Sequence, residues 1–305
     1  MLIIVMIILS ADSLKCSWFN NDEDTTSIPW PKISAHSPAW SPDGLKILFA
    51  YAPLTKVDDT TYILDPDSGG WWFIEPSGNN LLYFGHLPGG GDWDWHPNGD
   101  TVLTYIGWGY PSLIKVCLND TSITEVGYFE YGAGNGRYSS DGKKIVLGAD
   151  KGNQEGIWIM DANGNNARLL LPNIYGIFDW STDGGTIAYE DLSGGLWVCD
   201  TNGANKRQLL EGKGLYSSPT FSPNGAKIAF DLRQDVQKDY EIYVINIDGS
   251  GLKKLVTGRC PAWSPNGSKI SFMKFSYWGN YDEGNGQLWI MDSDGTNQQQ
   301  LTFVR

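Results

Sequence analysis

Residues 260–272 read "CPAWSPNGSKISF", and residues 37–49 read "SPAWSPDGLKILF". Two near copies at opposite ends of a 305-residue chain imply a unit written more than once. Anchored on the aromatic of this motif, the unit recurs at Trp40, Trp95, Tyr138, Trp180, Phe221 and Trp263, in steps of 55, 43, 42, 41 and 42 residues. A turn follows each anchor: "SPDG", "HPNG", "SSDG", "STDG", "SPNG" and "SPNG". Each turn leads into a short apolar strand, from "KILF" in the first unit to "KISF" in the last. A further strand and turn come next, as in "IWIMDANGNN" (157–166), "LWVCDTNGAN" (196–205) and "LWIMDSDGTN" (288–297). A closing strand such as "KKLV" (253–256) completes the unit. Asp-Gly and Asn-Gly pairs tolerate positive φ and suit tight hairpins.

Four short strands at a period near 42 residues specify a β-propeller. The fold class is all-β: six blades, each a four-stranded antiparallel sheet. The quoted stretches are then the innermost strands of blades one and six, neighbours once the ring closes. Composition agrees, with 37 glycines and 13% aromatic residues. Such a mix favours strands and turns over helices.

"PAWSPDG", the apolar strand after it, and "IWIMD" with its Asn-Gly or Asp-Gly turn resemble the repeat of the TolB-like six-bladed propellers. The resemblance covers nearly everything from residue 35 onward. The WD-type repeat shares the "SPDG" turn but ends its third strand in Trp-Asp, where this chain has "MD", "CD" and "IN". The resemblance implies a propeller domain at 35–305 that stands free. TolB itself carries an N-terminal α/β domain for which too few residues precede blade one, and the propeller peptidases carry a hydrolase domain after theirs.

At the N-terminus, Leu2 to Leu9 is an unbroken apolar run, too short to span a bilayer. With Ala11 and Ser13 as small residues at a cleavage site, residues 1–13 are read as a signal peptide and the chain as periplasmic or otherwise extracytoplasmic. Leu14 and Lys15 stand where a lipoprotein signal needs small residues, so lipid attachment at Cys16 is not expected. Residues 14–34 form an N-terminal segment that adds an outer closing strand or hangs loose. The formal charge is −13, from 22 basic and 35 acidic side chains, which disfavours nucleic acid and anionic membrane surfaces. No transmembrane segment is expected, and the chain is read as a monomer.

The repeat separates scaffold from site. Eight of the fourteen tryptophans hold repeat positions and are assigned to packing between blades. Cys117 and Cys199 share one apolar slot in non-adjacent blades and are read as buried free thiols. The "DANGNN"-type segments resemble the opening of a calcium loop. Counted from Asp161, Asp200 and Asp292, the twelfth places hold Pro172, Glu211 and Phe303, so they are read as turns. His36, His86 and His96 fall in different parts of the unit, and no metal or other cofactor is expected. Oligogalacturonate lyases resemble this fold but use a histidine-rich metal site that has no counterpart here.

Antiparallel strands put the turns after strands one and three on one rim, where the copies are nearly uniform. Loops after strand two and between blades share the opposite rim, where the copies differ. The longest departure, near 50–70 of blade one, is placed there and holds room for a small hairpin. This variable rim gathers Tyr51, Tyr62, Trp108, Tyr110, Arg233, Tyr277, Trp278, Tyr281 and Asp282 as candidate ligand-binding residues. The acidic Asp58, Asp59, Asp231, Asp235 and Glu283 join them. Aromatics on loops above a rigid scaffold make a recognition surface. The expected function is a non-catalytic scaffold that binds a protein or peptide. The alternative is a carbohydrate-binding or polysaccharide-degrading protein using the same rim. No residue is assigned a catalytic role.

Overall fold

The computed structural model describes residues 36–51, 54–56, 62–64, 70–85, 93–106, 112–128, 133–152, 154–174, 178–212, 215–234, 238–275 and 286–302. Within them the chain forms six four-stranded antiparallel sheets plus one two-stranded sheet; five of the six use strands consecutive in the chain, and in the first the two-stranded sheet comes between its second and third strands. The two-stranded sheet pairs Leu54–Lys56 with Tyr62–Leu64 and fills the blade-one insertion. Among the described residues no helix is long and apolar enough to cross a membrane. The readings of 1–13 and 14–34 lie outside the described residues.

First strands of neighbouring blades touch all the way round, including His36–Trp40 of blade one against Arg259–Trp263 of blade six. The core follows the same circuit, one apolar cluster between each pair of adjacent blades. The cluster that closes the ring sets Trp40, Ile47, Phe49 and Ile74 of blade one against Met273, Leu288, Ile290 and Leu301 of blade six. Second strands are covered on both faces, and Phe49, Phe230 and Phe272 on them are fully buried in three different clusters. Trp40 Nε1 donates to Ala262 O of blade six at 3.1 Å, and Trp95 Nε1 to Ala39 O of blade one at 3.2 Å. The repeat tryptophans therefore serve packing, as their spacing implied.

Local chemistry explains the uniform rim. After the anchor in every blade but the second, where His96 takes the place, a serine hydroxyl donates to the carboxyl or amide oxygen two residues on, as Ser41 does to Asp43 at 2.6 Å. The same serine oxygen accepts the N–H that restarts the strand, Lys46 N at 2.9 Å. Gly44, at φ 72°, completes the turn. Blades three to six repeat the arrangement at Ser139, Ser181, Ser222 and Ser264. In the turn after strand three, Asn166, Asn205 and Asn297 adopt left-handed φ near 55°, 52° and 51°. Each donates its side-chain amide to the aspartate five residues earlier, at 2.6, 2.6 and 2.5 Å. These acids close their own turns.

Blade three departs from the motif with Asn135-Gly136-Arg137-Tyr138. A Cβ at Gly136 would approach Leu103 Cδ2 of blade two to 2.8 Å, so Leu103 would have to shift to admit the proline that blades one, five and six carry there. Tyr138 in place of tryptophan packs edge-on against His96, centroids 4.8 Å apart.

Candidate binding site at the axial channel and the variable rim

The residue just before each anchor alternates out of the blade core. Ala39, Asp94, Arg137, Asp179, Thr220 and Ala262 are half-buried beside buried anchor aromatics in five of six blades. Since first strands ring the axis, these six side chains line the axial channel. Blades two, three and four contribute charge; blades one, five and six contribute small residues. Asp94 Oδ2 accepts the Tyr138 N–H at 2.7 Å, and Asp179 Oδ2 accepts the Phe221 N–H at 2.7 Å, each across a blade boundary. Arg137 lies between them, its Nε 3.9 Å from Asp179 Oδ1. Arg137 and Asp179 keep 20% and 17% of their side-chain surface exposed, so the channel reaches water.

Burial pushes the Asp94 carboxyl up to about 6, with nearby Asp179 adding to the rise and Arg137 and the Tyr138 N–H opposing it. Burial likewise raises Asp179 against the pull of Arg137. Two carboxylates thus share one guanidinium in a confined space, a pairing that favours neutralising one of them.

A second charged cluster sits where blades five and six meet at the variable rim. Asp231, on the second strand Lys227–Arg233 of blade five, is fully buried. Its Oδ2 accepts the Cys260 N–H at 3.2 Å and lies 3.5 Å from Arg259 Nε of blade six. Burial raises the Asp231 carboxyl, opposed first by Arg259. The Arg259 guanidinium stacks over the Tyr240 ring at 4.0 Å, and Arg233 lies 5.5 Å from the same ring.

First strands carry a bulge at this rim. Their register shifts between Gly134 and Arg137, Ser217 and Thr220, and Arg259 and Ala262. Inside each shift one residue takes left-handed φ: Asn135 at 53°, Ser218 at 51° and Cys260 at 51°. All three stand three residues before their anchor, at the channel mouth. For a residue with a Cβ this conformation costs on the order of 1 kcal/mol or more, and such strain gathers at functional sites. Ser218 Oγ donates to Cys260 Sγ at 3.8 Å, linking two of them.

Of the sequence-predicted site residues, Arg233 is placed at this cluster. Tyr51 closes the second strand of blade one, its backbone paired with Gly70, and Tyr62 lies in the inserted hairpin opposite Lys56. Trp108, Tyr110, Tyr277, Trp278, Tyr281 and Asp282 lie outside the described residues, as do Asp58, Asp59, Asp235 and Glu283. Asp231 differs from its reading as a displayed acid: it is a buried counter-ion to Arg259. His96 faces Tyr138 near the uniform rim. Among the described residues no group of three His, Cys, Asp or Glu side chains is disposed around a metal position. Loop-based reading passed over Asp94, Arg137, Asp179, Tyr240 and Arg259. The aligned column before the anchors, Ala-Asp-Arg-Asp-Thr-Ala, held the first three in plain view.

Comparison with known proteins agrees with the geometry. The family model described as the TolB beta propeller domain matches residues 177–305. The Tol-Pal system protein TolB of Francisella tularensis subsp. mediasiatica is 32% identical over 103 residues, covering 32% of this chain and 24% of that protein. Dipeptidyl-peptidase 5 of Porphyromonas endodontalis is 31% identical over 93 residues, covering 28% of this chain and 13% of that protein. The chain therefore matches about a quarter or less of these curated relatives' own length. The solved structure of a putative TolB from Agrobacterium tumefaciens superposes with a TM-score of 0.66 at 22% identity, over 75% of this chain and 86% of that one, a likeness of fold.

Proposed function

We propose that this chain, a TolB-like six-bladed β-propeller, is an exported, non-catalytic scaffold that binds a protein or peptide through its variable rim and channel mouth. Residues 1–13 direct export, and residues 35–305 form the binding unit as a monomer. The observation that carries this reading is the contrast between the rims. On the uniform rim the turn acids are consumed by their own serine and asparagine partners. On the other rim stand the insertions, the strained bulge residues and the stacked arginines. The partial match to a Tol-Pal system component favours a protein partner over a sugar.

The reading is tested with the purified full chain immobilised against an envelope extract, beside a glycan array. A Trp108→Ala/Trp278→Ala variant and an Asn163→Ala/Asn224→Ala variant on the uniform rim serve as the pair. Retention of a discrete protein by the wild type and the uniform-rim variant, with loss in the first variant, supports the proposal. Glycan binding that disappears in the Trp108→Ala/Trp278→Ala variant, with no protein retained, overturns it.

A further inference from the structure

We infer that residues 14–18 pair with the outer edge of blade one, along Leu82–Gly85, and give that blade a fifth strand whose apolar side chains cover Leu82 and Tyr83. The inference deepens the reading of residues 14–34 as an outer strand, and it stands apart from the question of what the variable rim binds. Three features lead to it.

The first is the edge itself. The fourth strand of every blade is an outer edge, and a strand edge offers a row of N–H and C=O groups to a further strand. Five blades guard theirs with an exposed charged or amide side chain: Glu125, Arg168, Arg207, Lys254 and Gln299. Blade one does not, since its fourth strand reads "LYFG". Leu82 is 56% exposed and Tyr83 37%, with Leu81 just before them at 36%. Among the described residues no other outer strand exposes two large apolar side chains.

The second is the chain's own complement to that edge. "LKCSW" (14–18) alternates apolar and polar residues, with Leu14, Cys16 and Trp18 in one phase and Lys15 and Ser17 in the other, the pattern of a half-buried strand. Tyr83 stands opposite Trp72 of the third strand, ring centroids 5.0 Å apart, on the face turned to blade six. An aromatic of a fifth strand set beside Tyr83 extends this row, and such cross-strand pairs are what stabilise neighbouring strands. The polar run "NNDEDTTS" (20–27) then supplies a connection.

The third is reach. The segment joins the propeller at His36, the start of the first strand of this same blade. A fifth strand lies four strand spacings from the first, about 19 Å. Residues 19–35 span up to roughly 55 Å when extended, so the connection is met with slack. A tethered strand acts at an effective concentration in the millimolar range, for which a four-residue edge suffices. A second copy pairing through the same four residues would bury far less than the roughly 1,200 Å² of a stable interface, and would bring together two chains of formal charge −13.

The test places a benzophenone side chain at Leu82 of the full chain, and separately at Ile123 on the outer edge of blade two as the control. Dilute protein is irradiated and digested, and linked peptides are identified by mass spectrometry. Links from position 82 to residues 14–19 of the same chain, with none to them from position 123, are the expected result. Hydrogen exchange is read in parallel. Trp18→Asp should speed exchange of the backbone at 81–85 by about tenfold or more and leave 123–128 unchanged. Links from position 82 to a second copy, to a foreign protein or to another part of the chain overturn the inference, as does the absence of any link. Exchange at 81–85 that Trp18→Asp leaves unchanged also overturns it. Circular dichroism reports the fold of the variant, and if Trp18→Asp does not fold, the cross-link in the chain with Trp18 intact decides alone.

Discussion

Replacing Asp94 with asparagine isolates the cost of the charged channel. Asp94 folds with its carboxyl raised by burial from 3.8 to about 6, so the unfolded chain is the stronger acid. A raised folded value means that its contribution to stability is fully present below the unfolded value and fades as pH rises through about 6. The gap corresponds to roughly 3 kcal/mol lost between about pH 4 and pH 7. Asparagine keeps the shape and an oxygen to accept the Tyr138 N–H, now at 2.7 Å, but has no proton to lose. The carboxyls of Asp43, Asp141 and Asp183 behave oppositely. Their serine partners hold them low, so their stabilisation is present above the ordinary carboxylate value and lost only in stronger acid. The interval from about pH 4.5 to 7.5 therefore lies above these groups; burial raises Asp179 and Asp231 as well, and the difference between wild type and Asp94→Asn singles out Asp94. Urea denaturation at steps across that interval should show Asp94→Asn gaining on the wild type by about 1–3 kcal/mol as pH rises. Parallel profiles for the two proteins would refute the reasoning.

Three further outcomes follow from the packing. Phe49→Ala, at the blade six–one closure, should cost about 3–5 kcal/mol in urea denaturation, as should Phe178→Ala between blades three and four; a Phe49 cost below about 1 kcal/mol would mean that the ring does not close there. Gly164→Ala, at φ 87° and facing the Val126 carbonyl oxygen, should lower stability by about 2–4 kcal/mol. Gly184→Ala, at φ 71° in open space, should cost only about 1–2 kcal/mol, and equal thermal shifts for the two would contradict the clash. Burial pushes the Cys199 thiol up to about 11, so maleimide at neutral pH should label it only after unfolding, and labelling at the rate of a free thiol would count against its place in the core.

The fold was legible because the propeller repeats its chemistry along with its length. Serine and Asp or Asn at fixed offsets close one turn in most blades, and an αL asparagine closes the other in several, so the copies align through these turns and their length differences fall in the loops of the opposite rim. The site was less so. Asp94 meets Tyr138 N across 44 positions, and Asp231 meets Cys260 N across 29; both pairs exist only after neighbouring blades dock. A loop-centred reading found Arg233 but placed Asp231 at the surface, because alternation along a second strand buried on both faces carries no signal of which side chains are displayed. Arg137 was missed for another reason. It stands in the column just before the anchors, outside the loops where a site was sought, although that column varies in charge.

The central claim is that a partner meets the variable rim and not the uniform one. It is tested most directly by placing a photo-crosslinking residue at Arg233 and Lys238 on one rim and at Asn163, Asn224 and Asn266 on the other, one at a time, in the full chain in its producing cell. Discrete protein adducts from Arg233 and Lys238, with none from the three asparagines, are the predicted result. Adducts from the asparagines alone, or equally from both rims, would contradict it.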